Sequence, residues 1–245
     1  MLSTQRTRAI AQRVIREILR EPRSRVLTLV TPGILILVVR QLFASAEEFN
    51  ATGVLMLGVM PVFSLYLVGS TTIVQERTKG TLESVLITPA QRSDLIAGYV
   101  SAALLIAAAQ AMVATTVAYT LCGLSTASPP WVMALLATVS GAFGMSLGLL
   151  VSVISENEGQ AFQFLPAVMI PQTLLSGLVW PVSEMAGWAQ GLESVLPISA
   201  VTRALSAAEE TNYGGGSMWL SVLVLLCLII AILGGSVSSI RRQVA

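Results

Sequence analysis

Long apolar runs alternate with short polar segments along most of the chain. Four stretches contain no Asp, Glu, Lys or Arg: residues 49–75, 95–155, 159–183 and 211–240. A helix needs about 20 apolar residues to cross the hydrocarbon core of a bilayer, so each stretch can hold at least one span. The turn-forming segment CGLSTASPP, 122–130, divides the longest stretch into two.

This pattern predicts an all-α integral membrane protein with six transmembrane helices. The predicted spans are about 26–43, 53–75, 95–121, 131–154, 160–180 and 218–239. The first is short and contains Pro32, so it crosses only if Arg40 snorkels to the interface. A signal peptide ending near Ala-Ser-Ala, 44–46, is the alternative, although its basic region is normally short and 25 residues precede this apolar core.

Composition supports a membrane protein and excludes several chemistries. Of the 245 residues, 54% are hydrophobic and 11% are charged, whereas a soluble domain has about 25% charged residues. The chain has no histidine, which excludes His-based catalysis and His ligation of metals. Cys122 and Cys227 are far apart and indicate neither a disulfide framework nor a metal site.

The distribution of basic residues predicts the orientation. Of the 14 Lys and Arg residues, only Arg40 and Arg203 fall outside the predicted cytoplasmic segments. The positive-inside rule therefore places both termini, and the segment 76–94, in the cytoplasm.

The segment 1–25 is predicted to form an amphipathic elbow helix before a transmembrane domain at 26–245. Arginines occupy one face of this helix, and the opposite face carries Ile10, Val14, Ile15, Ile18 and Leu19. Such a helix lies in the membrane interface with its basic face toward lipid headgroups. It is either an anchor alone or also a contact for a cytoplasmic partner.

Three features within the apolar region leave alternatives open. The GxxxG pair Gly144 and Gly148 favours close helix packing, within one subunit or between two. Pro166 and Pro171 predict a bent fifth span, which is either a static kink or part of a moving substrate path. Residues 183–208 have helical periodicity that favours short packed external helices over an ordinary loop.

The energy source is predicted to be another polypeptide. Spans two to six have no Asp, Glu, Lys or Arg in their cores, whereas ion-driven transporters normally need ionisable residues in the membrane. The sequence also lacks a G-x-x-x-x-G-K-[ST] phosphate loop and a G-x-S-x-G nucleophile elbow. We therefore expect no enzyme activity, cofactor or metal in this chain.

Two stretches resemble the permease subunits of type-2 ATP-binding-cassette transporters, including daunorubicin-resistance-type drug exporters. One is QERTKGTLESVLITPAQRSDLIAGY, 75–99, which is similar to that family's E-[RK]-x-x-G-T-[LI]-E-x-L-x-x-[ST]-P pattern. The other is LLSGLVWPVSEMAGWAQGLESVLPISAVTRAL, 174–205, which departs from the family where Met185-Ala186-Gly187-Trp188 lacks a frequent proline.

The resemblance implies a cytoplasmic coupling helix at about 79–88, centred on Gly80–Leu86, that fits a cleft of an ATPase. The implied apolar contacts are Leu82, Val85 and Leu86, beside Gly80 and Thr81, and the implied polar contacts are Glu76, Arg77, Lys79 and Glu83. A solvated loop is the alternative for this segment. The loop SENEGQ, 155–160, is a candidate second contact.

The resemblance further implies a bacterial plasma-membrane exporter of an amphiphilic, drug-like or lipid-like molecule. Two copies of a cytoplasmic ATPase would bind ATP and Mg, and a second permease subunit would complete a homodimer or heterodimer. Membrane lipids are expected partners and nucleic acid is not. Three other functions are considered. They are an ATP-independent secondary transporter, a non-transporting assembly or lipid-sensing subunit and, least favoured, an intramembrane hydrolase.

Overall fold

The computed structural model describes residues 4–20, 26, 28–78, 92–211, 213 and 215–243, without the side chains of 17–20, 76, 92–96 and 237–243. These residues form α1 (Thr4–Arg20), α2 (Thr31–Arg40), α3 (Ala46–Thr78), α4 (Arg92–Thr120), α5 (Pro130–Ile154), α6 (Glu158–Leu175), α7 (Gly187–Glu193), α8 (Pro197–Glu210) and α9 (Gly215–Gln243). A short 3-10 turn, Val182–Glu184, precedes α7. No strand occurs in this part of the chain, which confirms the all-α class.

In the described part of the chain, 4 helical segments are long and apolar enough to cross a membrane. They are Ala46–Gln75, Ala97–Thr120, Pro130–Ile154 and Gly215–Ser236, in the positions of predicted spans two, three, four and six. Helix α2 has 10 residues, about 15 Å at 1.5 Å per residue. Helix α6 has 18 residues, three of them glutamines. The count of six spans therefore stays a prediction.

The centre of the fold is the packing of α3 along α5. Small residues recur at every fourth position of α5: Ser140, Gly144, Gly148 and Ser152. A Cβ on Gly144 would collide with the Val62 backbone, and one on Gly148 would lie 2.7 Å from the Ser70 nitrogen. These glycines therefore let two backbones within one chain come into contact, which supports the first of the two alternatives for the GxxxG pair.

The contacts between α3 and α5 also give their relative direction. Val62 lies at Gly144, Gly69 at Gly148, and Ile73 at Ser152, so residue numbers rise together along both helices. The two helices are therefore parallel. This is the arrangement expected of two spans that cross a membrane in the same direction with α4 as the single crossing between them.

Helix α1 packs on the beginning of α4 through its apolar face. Ala11 and Val14 are buried in a cluster that includes Tyr99 and Ala102. A Cβ on Gly98 would lie 2.5 Å from Cγ2 of Ile10, so only glycine allows this approach. The predicted amphipathic helix thus uses its apolar stripe for contact with α4.

Helix α8 covers the first half of α3. Val201 and Leu205 are buried, and a Cβ on Gly58 would lie 2.8 Å from Cγ1 of Val201. The short helix α7 is different, since its apolar residues Trp188 and Leu192 are exposed, as is Val195 in the turn that follows, while Glu193 is buried. Residues 183–208 therefore contain two short helices, of which α8 is packed on its apolar face.

Arg40, which the sequence analysis placed at the membrane interface, is bound by the protein. Its Nε donates to the Cys122 carbonyl at 3.1 Å and its Nη1 donates to the Phe43 carbonyl at 3.0 Å. The guanidinium also lies 5.9 Å from the centre of the Phe49 ring. The end of α2 is thereby attached both to the loop after α4 and to the start of α3.

Candidate functional site

The predicted ATPase contact follows directly from the end of α3. Lys79, Gly80, Thr81, Leu82, Glu83, Val85 and Leu86 lie outside the described residues, and Glu76 is described only in its backbone. Arg77, in the last turn of α3, is described with its side chain. The coupling helix therefore stays a prediction, and the structure describes the helix end from which it continues.

Arg77 binds the C-terminal end of α5. Its Nη1 donates to the Ser155 carbonyl and its Nη2 donates to the Val153 carbonyl, both at 3.1 Å. The last carbonyls of a helix have no partner within the helix and carry partial negative charge. A bidentate guanidinium satisfies two of these groups and matches their charge. Arg77, one of the residues predicted to contact the ATPase, thus forms a contact within its own chain.

A second contact between α3 and α5 lies one turn before Arg77. The hydroxyl of Ser152 accepts hydrogen bonds from the backbone N–H groups of Ile73, at 2.9 Å, and Val74, at 3.0 Å. Ser152, Ile73 and Val74 are all buried. This hydroxyl contacts two buried N–H groups of the α3 backbone and fixes the register between α3 and α5.

The loop Ser155–Asn157 connects α5 to α6 and has a defined structure. Asn157 Oδ1 accepts from the backbone N–H of Gln160 at 2.9 Å, which caps α6. Gln160 Oε1 accepts from the backbone N–H of Glu156 at 2.7 Å, an arrangement similar to a capping box. The candidate second contact, 155–160, is therefore attached to the same helix end that Arg77 binds.

The link between these two segments was not predicted from the sequence. Ser152 and Ser155 resemble ordinary small residues at the end of an apolar run. The position of Arg77 nevertheless indicates such a contact. The charge-free run 49–75 is followed by Glu76 and then by Arg77. The predicted topology places that position beside the end of α5, where an arginine can cap free carbonyls.

The two prolines of the predicted fifth span lie within one helix. Helix α6 contains both Pro166 and Pro171 and is not interrupted at either. Each proline lacks an N–H, so the carbonyls of Phe162 and Ala167 lose their usual partners. Both prolines are exposed on the surface of the chain. A role in bending or in a substrate path stays a prediction.

A polar cluster joins three elements at the opposite end of α3. Asn50 Nδ2 donates to Oε1 of Glu209 at 2.7 Å, and Asn50 Oδ1 accepts from the backbone N–H of Ser125 at 2.8 Å. Burial raises the pKa of the Glu209 carboxyl, the hydrogen bond from Asn50 lowers it, and the charge of Glu210 raises it, with a net increase. Asn50 thus attaches the loop after α4 and the end of α8 to α3.

The spans offer little chemistry of their own. In the described residues, no three His, Cys, Asp or Glu side chains lie close enough to hold a metal ion. The buried amide of Gln110 donates to the Thr28 carbonyl at 2.7 Å and to the Ser64 hydroxyl. These contacts attach α4 to the segment before α2 and to α3.

The fold therefore defines a multi-pass α-helical membrane protein. The chain belongs to the ABC-2 type transporter family, whose pattern it matches over residues 5–209, from α1 almost to the end of α8. The resemblance found in the two sequence motifs is confirmed.

Curated relatives agree with this family. The chain is 27% identical over 194 residues to a protein named "Probable multidrug ABC transporter permease YbhR" from Escherichia coli, covering 77% of this chain and 51% of the relative. It is 32% identical over 114 residues to "ABC transporter G family member 20" of Dictyostelium discoideum, covering 44% of this chain and 15% of that protein. The chain thus spans about half the length of the Escherichia coli relative.

Proposed function

We propose that this chain is the membrane-spanning permease subunit of an ABC exporter and that a separate cytoplasmic ATPase powers it. The observation that carries the proposal is the attachment of the α3 end to the α5 end through Arg77. A segment that transmits force needs a rigid connection to the helices it moves. Membership of the ABC-2 type family and the absence of a phosphate loop support the same assignment.

The mechanism begins at the predicted coupling helix, 79–88. Its apolar residues Leu82, Val85 and Leu86 would enter a cleft of the ATPase, while Lys79 and Glu83 would form polar contacts at the edge. When ATP binding moves the ATPase, the coupling helix moves with it. Arg77 and Ser152 then transfer the displacement from α3 to α5, because both bind the two helices together.

The complete transporter would contain two permease subunits and two ATPase subunits, with ATP and Mg bound by the ATPase. The pairing is a homodimer or a heterodimer. Both termini would lie in the cytoplasm, as the distribution of basic residues indicates, and the membrane would be a bacterial plasma membrane. The substrate is an amphiphilic, drug-like or lipid-like molecule, in agreement with the name of the multidrug permease relative.

The test reconstitutes the full chain with its ATPase in proteoliposomes. Leu82→Asp would place a charge in the apolar contact, and burial of an unpaired charge is costly. We expect ATPase association to weaken at least about tenfold, equal to about 1.4 kcal/mol. Val195→Asp is the matched control, because Val195 is 73% exposed between α7 and α8 and lies outside the predicted spans.

Two measurements separate the parts of the proposal. Association of the ATPase tests the coupling helix, and ATP-dependent export of a fluorescent amphiphile tests the transport function. Association of Leu82→Asp equal to that of wild type would refute the coupling assignment. Export that continues without ATP but stops when the proton gradient is removed would instead support the secondary transporter.

A further inference from the structure

A groove of about 500 Å³ lies between α1 and α4. It is formed by residues of the first helix, Thr4, Thr7, Arg8, Ala11, Gln12 and Ile15, and of α4, Ala97, Ser101 and Leu105. This volume lies in the range of small-molecule sites, about 300–1,000 Å³. The groove is separate from the Arg77 contact and is not used in the proposed coupling mechanism.

The groove combines polar and apolar lining groups. Thr4, Thr7 and Arg8, from the first two turns of α1, contribute hydroxyls and a cation. The wall formed by α4 is apolar, since the hydroxyl of Ser101 donates to the Ala97 carbonyl at 2.7 Å and is thereby satisfied within its own helix. Leu105 lies in a membrane-spanning helix and is 60% exposed, so the groove opens toward the hydrocarbon.

The charge of α1 identifies the kind of molecule that fits. Its described side chains, residues 4–16, include Arg6, Arg8, Arg13 and Arg16 and no acidic residue. A cationic rim above an apolar channel is complementary to a negatively charged headgroup with an acyl chain. A neutral amphiphile would use only the apolar part.

We propose that an anionic phospholipid binds in the α1–α4 groove, with its phosphate beside Arg8 and the hydroxyls of Thr4 and Thr7. One acyl chain lies along Ala97 and Leu105. The lipid then fills the space between the interfacial helix and the first long span that follows the coupling segment. Because lipid binding needs no ATPase, it can be measured on the full chain alone.

The experiment titrates the purified full chain with dioleoylphosphatidylglycerol or dioleoylphosphatidylcholine and counts bound lipids by native mass spectrometry. We expect one saturable phosphatidylglycerol site and weaker binding of phosphatidylcholine. Arg8→Gln should weaken the phosphatidylglycerol site about fivefold, because one cation near a lipid surface contributes about 1 kcal/mol. Arg16→Gln is the matched control, with the same charge change on the same helix outside the groove.

A steric pair of variants tests the acyl-chain position without changing charge. Ala97→Phe should remove the saturable site, whereas Ala9→Phe, at an exposed position of α1 outside the groove, should leave it unchanged. Equal binding of both lipids, or equal weakening by Arg8→Gln and Arg16→Gln, would overturn the proposal. A photo-crosslinker at Gln12 that captures the ATPase instead of lipid would also overturn it. Failure of ATPase coupling would leave these outcomes unaffected.

Discussion

The guanidinium of Arg77 lies 3.1 Å from the carbonyl oxygen of Ser155, although 78 residues separate them in the chain. The contact joins the last turn of α3 to the first residue after α5. It joins the end of α3, from which the predicted coupling segment continues, to the connection between α5 and α6. We therefore expect a displacement of the α3 end to be transmitted to α5.

Arg77→Gln should loosen the end of α5 and reduce coupling. A hydrogen bond to a charged group contributes about 1.5–3 kcal/mol, and this substitution leaves the Val153 and Ser155 carbonyls without their cation. We expect amide hydrogen exchange in residues 155–161 to accelerate about tenfold or more. We also expect less substrate-stimulated ATP hydrolysis at unchanged ATPase association, because Arg77 positions the coupling segment.

One further variant separates charge from geometry at Arg77, and a second serves as a control. Arg77→Lys keeps the charge but loses the bidentate fork, so its exchange rate should lie between those of wild type and Arg77→Gln. Arg16→Gln, at an exposed position of α1, should not alter exchange in this segment. If the amides of residues 155–161 exchange in Arg77→Gln at the wild-type rate, the contact of Arg77 with the end of α5 has no mechanical role.

Gly144→Leu should destabilise the chain through the contact of α3 with α5. The added side chain would meet the Val62 backbone, which cannot yield as a flexible side chain can. Overpacking costs about 1–3 kcal/mol, which corresponds to a melting temperature about 2–12 °C lower for a chain of this size. Thermal denaturation in detergent measures the change.

Gly234→Leu provides the matched control for this prediction. Gly234 also lies in a long apolar helix, but a Cβ there would meet nothing within 4 Å. Its melting temperature should stay close to that of wild type. Equal destabilisation by both variants would mean that Gly144 is sensitive only because it is a membrane-helix glycine.

Sequence periodicity predicted the long helices well because a bilayer sets their length and excludes charge from them. It also identified the apolar face of α1, where Val14 is buried against α4 and Ile10 and Ile15 are half-buried. The pattern at α7 was less informative, because its apolar stripe of Trp188 and Leu192 is exposed in this chain. An apolar stripe indicates a surface that avoids water. It does not indicate whether protein or lipid covers that surface.

The polar contacts could not be predicted for a different reason. Asn50 binds Ser125 and Glu209, and Ser152 binds the backbone of α3. Such contacts join residues far apart in sequence and depend on the register between helices. A serine or asparagine at the end of an apolar run has the same local pattern whether it faces water or a neighbouring helix.

Gly98→Ala should displace α1 from α4, and Ile10→Ala should partly reverse the effect. A Cβ at position 98 would lie 2.5 Å from the Ile10 Cγ2 atom, so shortening Ile10 relieves the collision. We expect a favourable coupling energy of about 0.5–3 kcal/mol in a double-mutant cycle of unfolding free energies. Ile15→Ala is the control partner, and an equal coupling energy with Gly98→Ala would contradict direct contact with Ile10.

Because of Glu209, the free energy of unfolding should decrease as the pH rises above the ordinary range of glutamate pKa values. Burial, supported by the charge of Glu210 and opposed by the Asn50 hydrogen bond, raises its folded-state pKa above 4.5. The folded chain therefore holds more protons than the unfolded chain from about that pH upward, and stability decreases until the folded-state pKa is passed. Glu209→Gln cannot titrate but still offers an oxygen to Asn50.

The melting temperature of Glu209→Gln relative to wild type should therefore increase between pH 4.5 and neutral pH. Asn50→Leu removes the interaction that lowers the Glu209 pKa, so it should extend the loss of stability to higher pH. A relative melting temperature for Glu209→Gln that falls with pH would mean that the carboxylate is stabilised by folding, because its folded-state pKa would then lie below the unfolded value.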